Sequence, residues 1–118
     1  MAEYWGVDEQ WDAVSKVEIT VYDNEDEITE LTDEAELEAF FTALDESKLK
    51  RLWTDIKLGR GPKNTDVPAF TSEVRIFLDG SDKPAFEAGF VRNHVYFLHM
   101  PTYLWYLEDG TPLLEYLN

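Results

Sequence analysis

Residues 72–98 read SEVRIFLDGSDKPAFEAGFVRNHVYFL, and this stretch decides the fold. Val74, Ile76 and Leu78 recur at every second position. The turn sequence Asp79-Gly80-Ser81-Asp82 follows, and Phe86, Ala88 and Phe90 then recur in the same way. Arg92-Asn93 makes a second turn, and HVYFLHM, His94 to Met100, continues as a third strand. A period of two places one set of side chains on each face of a strand. Tight turns join only antiparallel neighbours, so the segment is a β-meander.

The chain before it supplies one more clear strand and one clear helix. In VSKVEITVYD, Val14 to Asp23, the side chains of Val17, Ile19 and Val21 face one way and those of Lys16, Glu18, Thr20 and Tyr22 the other. Asp23 to Glu27 reads as a turn with a short extension through Ile28. From Thr32, as N-cap, to Ser47, the residues Leu37, Phe40, Phe41 and Leu44 fall at the spacing of one helical face. Acids crowd the first turn and Lys48, Lys50 and Arg51 lie past the end, both matching the helix dipole.

Alternation from Arg51 to Leu58 predicts a further strand, and the Gly- and Pro-rich residues 59–68 a loop. Thr111 and Pro112 open a short C-terminal helical segment. Residues 1–13 show neither period and read as an acidic, aromatic tail, leaving 14–118 as a single domain. The expected fold is α+β: an antiparallel meander sheet of about four or five strands, one main amphipathic helix on one face, and short C-terminal helical segments.

The charge is distributed unevenly. The net charge of the 118-residue chain is −15. Residues 1–47 hold sixteen acids and one base, Lys16, whereas residues 48–118 hold nine of each, so the whole imbalance lies in the first 47 residues. Such a surface repels phosphates and is not expected to bind nucleic acid directly. The chain contains no cysteine, which excludes disulfides and thiolate metal sites. No run of about eighteen apolar residues is present, so membrane insertion is not expected. The opening MAEYWGVDEQW lacks the basic and apolar regions of a secretion signal, giving the expectation of a cytoplasmic location.

Catalytic and metal-binding patterns are weak. His94 and His99 lie five apart, on opposite faces of a strand. No serine stands in a nucleophile motif. Asp23, Glu25, Glu27 and Glu34 match four positions of a calcium loop, but Ile28 stands where that loop needs glycine. GRGPKNTD, Gly59 to Asp66, fails the phosphate-loop spacing. The expectation is a protein that is not an enzyme and has neither metal nor cofactor.

The stretch YDNEDEITELTDEAELEAFF, Tyr22 to Phe41, holds nine carboxylates and no base. The helix dipole accounts for Asp33, Glu34 and Glu36. It does not account for the turn acids, nor for Glu30, Glu34 and Glu38, whose spacing of four sets like charges together on a helix. Concentrated carboxylates beside aromatics suit recognition of a basic protein surface. The expected partner-binding residues are Tyr22, Asp23, Glu25, Asp26, Glu27, Glu30, Glu34, Glu38, Trp5 and Trp11. Acids plus aromatics on a small scaffold suit an inhibitor, an immunity-type protein or a nucleic-acid charge mimic, and in size and composition the chain is similar to some phage-encoded inhibitors and toxin-immunity proteins. The alternative is an extracytoplasmic bacterial α+β module, and less so a small enzyme.

Overall fold

The meander from Ser72 to Phe97 forms the middle of one sheet. The computed structural model describes residues 2–22, 26–51, 70–98 and 105–117. Its strands are β1 (Val14–Tyr22), β2 (Asp26–Leu31), β3 (Leu49–Arg51), β4 (Ser72–Leu78), β5 (Phe86–Val91), β6 (His94–Phe97) and β7 (Trp105–Leu107). They form one seven-stranded sheet in the order β2-β1-β4-β5-β6-β7-β3, and every neighbouring pair is antiparallel. Gly80 sits in the β4–β5 turn at φ 77°, a conformation that favours glycine. Arg92 takes the corresponding left-handed position, φ 57°, in the β5–β6 turn.

The sheet is wider than the four or five strands expected, because the added strands carry no readable period. β3 and β7 have three residues each. β2 is Asp-Glu-Ile-Thr-Glu-Leu, which reads as a turn by composition but pairs with β1 from Val17↔Leu31 to Tyr22↔Asp26. The strand expected over 51–58, the loop over 59–68 and His99 lie outside the described residues.

The main helix, α2, spans Glu34–Glu46 and starts at Asp33 rather than Thr32, in a capping box with Glu36. The Glu36 carboxylate accepts a hydrogen bond from the Asp33 N–H at 3.4 Å. The helix links β2 at one edge of the sheet to β3 at the other. It must therefore cross the sheet, which is why its apolar stripe faces Val17, Ile19, Val74, Ile76, Phe86, Ala88, Phe90, Val95 and Phe97 in one core. Phe40 and Leu44 are fully buried, while Leu37 and Phe41 are half-buried at the rim.

Residues 2–13 are a packed part of the domain, and the expected tail is corrected accordingly. Ala2–Trp5 form a short helix, α1, and Asp8–Ala13 a 3-10 turn. Ala2, Trp5 and Val7 are at most 2% exposed. The Trp5 ring meets Phe86 edge-on at 6.2 Å and Phe97 at 5.6 Å. The anchors are single large apolar residues in an irregular backbone, so no sequence period reveals them.

A C-terminal 3-10 turn, Pro112–Tyr116, closes the other side of α2. Tyr116 packs edge-on against Phe40 at 5.1 Å. Ser47, the buried C-cap, donates to the Ala43 carbonyl at 2.6 Å and accepts from the Leu113 N–H at 3.1 Å. Ser47→Ala strands that N–H in the core, and we expect it to cost about 1–3 kcal/mol in urea unfolding. A change within error would show that water reaches Leu113.

On the opposite face of the sheet, Gly89 lies under the ring of Phe70, where an added Cβ would come within 2.4 Å of the ring. The aromatic ring thus fills the place of a side chain on the strand.

Candidate functional site

A groove of about 570 Å³ opens where four pieces of chain meet at the start of β1. The N-terminal 3-10 turn contributes Trp11 and Asp12, and β1 contributes Val14 and Ser15. The first two turns of α2 and the residue leading into them contribute Thr32, Glu34, Leu37 and Glu38. Asp79, just past β4, completes the wall. Each position has a local cause. Trp11 is held by ring contacts with Phe41 at 4.7 Å and Phe40 at 6.4 Å. Glu34 and Glu38 are one helical turn apart and share a side of α2. Ser15 occupies a break in register between Val14↔Leu78 and Lys16↔Phe77, a β-bulge of the kind that re-aims a strand end. Asp79 is fixed by its N–H bond to the Ala13 carbonyl at 2.7 Å.

Among the described residues, the lining carries four carboxylates, Asp12, Glu34, Glu38 and Asp79, and no base, around the apolar surfaces of Trp11, Val14 and Leu37. A concave wall of one sign focuses the field and favours cationic ligands. Among the described residues, no group of three or more His, Cys, Asp or Glu side chains is arranged to hold a metal ion. The calcium-loop spacing has no loop behind it, because residues 26–31 are a strand.

Of the sequence-predicted residues, the groove gathers Trp11, Glu34 and Glu38. It leaves the others elsewhere. Trp5 is a core residue, 2% exposed. Glu30 is on β2, not on the helix, so it is not one of a row with Glu34 and Glu38. Glu27 is exposed on β2, and Asp26 pairs with Tyr22 at the start of that strand. Asp23 and Glu25 lie outside the described residues. Asp12 was visible only as one acid among many. Asp79 gave no signal, since it belongs to the electroneutral part of the chain and reaches the groove only through β1–β4 pairing.

Tyr22 and Glu30 belong to a polar chain across the outer face of the sheet. The Tyr22 hydroxyl donates to Glu73 at 3.0 Å, and Glu73 pairs with Arg75. Arg75 reaches Glu18 at 3.5 Å, and Lys16 bridges Glu18 at 3.9 Å and Glu30 at 3.5 Å. Burial, then the hydrogen bond to Glu73 and its charge, raises the Tyr22 phenol above its ordinary pKa. Burial lowers the Arg75 guanidinium, but the charge of Glu73, with Tyr22 and Glu18, outweighs it and raises the pKa. These groups are engaged with one another, whereas among the described residues no ion pair reaches the groove carboxylates.

A second cavity, about 540 Å³, lies at the other end of β1 between Val21, Tyr22, Thr71, Arg92, Asn93, Leu114 and Leu117. Among the described residues, its charged lining residue is Arg92. Among the described residues, no helix is long and apolar enough to cross a membrane. The fold and groove define a small α+β domain with an antiparallel sheet, one main helix, and an acidic, aromatic cleft at the sheet's end. The chain matches no known protein family, curated protein or solved structure.

Proposed function

We propose that this protein is a non-catalytic binding protein, of the inhibitor or immunity type, that engages a basic surface on another protein through the groove. The observation that carries the reading is the groove's composition: among the described residues, four carboxylates without a base, around Trp11 and Leu37. Charge attracts and orients the partner, and the aromatic and aliphatic surfaces supply desolvated contact. Lys or Arg side chains suit such a cleft, because their stems lie on apolar surface while their heads meet carboxylates. The remaining acids of residues 1–47 enlarge the attracting field. They also deter nucleic acid, so the same surface suits a competitor for a nucleic-acid-binding protein's basic face.

Capture experiments with the intact protein test the reading. Immobilised protein should retain a basic protein at low salt and release it as salt rises, because exposed charges are screened over about 8 Å at physiological ionic strength. An Asp12→Asn, Glu34→Gln, Glu38→Gln, Asp79→Asn variant should retain none of it. Equal retention by that variant would remove the groove from the function.

A further inference from the structure

The outermost strand, β2, adjoins the groove. It runs directly into Thr32 and Glu34 of the groove wall, and among the described residues β1 is its sole strand neighbour. Its central residues, Glu27, Ile28, Thr29 and Glu30, are all exposed, and Ile28 reaches 60%. An open edge is a template for another strand. Self-pairing is disfavoured here, because two copies of Glu-Ile-Thr-Glu would set like charges across from each other. A strand of opposite charge meets no such penalty, and Ile28 and Thr29 offer it β-branched neighbours.

Resting on the proposed function, we infer that β2 is the docking edge for an extended basic segment of the partner, which adds as a further strand of the sheet. Glu27 and Glu30 lie three apart and so point to opposite faces. The complementary segment therefore carries Lys or Arg three apart with two β-branched residues between them, a Lys-Val-Ile-Lys pattern. The six residues of β2 span about 20 Å. A segment of that length runs the edge and delivers its neighbouring residues to the groove.

The test leaves the protein unaltered. A ten-residue peptide centred on Lys-Val-Ile-Lys is titrated into isotope-labelled protein, beside a version N-methylated at alternate amides. Main-chain hydrogen bonds supply much of the affinity in strand addition, so methylation should weaken binding by at least about tenfold. The amides of Glu27 to Glu30 should shift, and exchange of the alternate ones that point away from β1 should slow, only with the unmethylated peptide. Equal binding of both peptides, with shifts confined to Trp11, Glu34 and Glu38, would overturn strand addition and leave the groove reading standing. Binding of neither overturns strand addition, and the groove is then judged by the capture experiment. Slow exchange at all β2 amides in the free protein would show the edge already covered, and would also overturn it.

Discussion

Trp5→Ala should destabilise the protein by about 3–5 kcal/mol, the range for removing a large aromatic from a core. The side chain is 2% exposed and touches Phe86 and Phe97, on β5 and β6. It thus connects the N-terminal helix to the central meander. Ala2 and Val7, both at 0% exposure, complete the same plug. Deleting residues 1–13 removes all three and opens the core between α2 and the sheet. For a domain whose total stability is of the usual order, about 5–15 kcal/mol, the deletion should leave little folded protein at 37 °C. Urea unfolding and near-ultraviolet circular dichroism would measure both variants. A truncated chain that melts like the parent would mean that residues 1–13 are a dispensable tail.

How far the sequence carried this fold depends on what kind of contact holds each part. The meander was legible because β4 and β5 alternate over seven and six residues between turn residues. The helix was legible because Leu37, Phe40 and Leu44 recur at its period. β2 was not, since its residues are half acidic and its strand state comes from pairing with β1 rather than from burial. Placing Glu30 on the helix followed from that omission. The N-terminal segment carries no readable signal for a related reason: Ala2, Trp5 and Val7 are anchors in irregular backbone, with no repeat to betray them.

The candidate site was legible as charge and hidden as geometry. Counting acids located the field in residues 1–47, and Trp11, Glu34 and Glu38 were singled out. Their convergence required the 3-10 turn over Asp8–Ala13, which stacks Trp11 against α2. Asp79 required the β1–β4 register, a contact between residues more than sixty apart in the chain. Conversely, the pairing of β1 with β2 and β4 places Tyr22 and Glu30 outside the groove, in a polar chain with Lys16, Glu73 and Arg75.

That division decides which charge reversal is informative. Reversing Glu30 would place a second cation near Lys16, now 3.5 Å from Glu30, and would perturb β2 as well as any partner. Reversing Asp12, Glu34 and Glu38 to Lys changes the groove and leaves the sheet's ion pairs intact. All three residues are exposed, so the fold should tolerate the change. Lys at 34 does face the helix N-terminus unfavourably, at about 0.3–1 kcal/mol. Binding to a basic partner should respond far more. Steering by a focused field accounts for factors of about 10–1000 in association rate, and three reversals convert the groove's attraction into repulsion. The association rate at low salt should fall by about 100-fold, with a smaller change in dissociation, and the difference from the parent should shrink as salt rises. Trp11→Ala should show the converse: a faster dissociation with little change in the salt dependence, because it removes contact area and not charge. Stopped-flow or surface-binding kinetics would separate the two. If the triple reversal associates as fast as the parent, the groove's charge serves solubility alone and recognition lies elsewhere on the molecule.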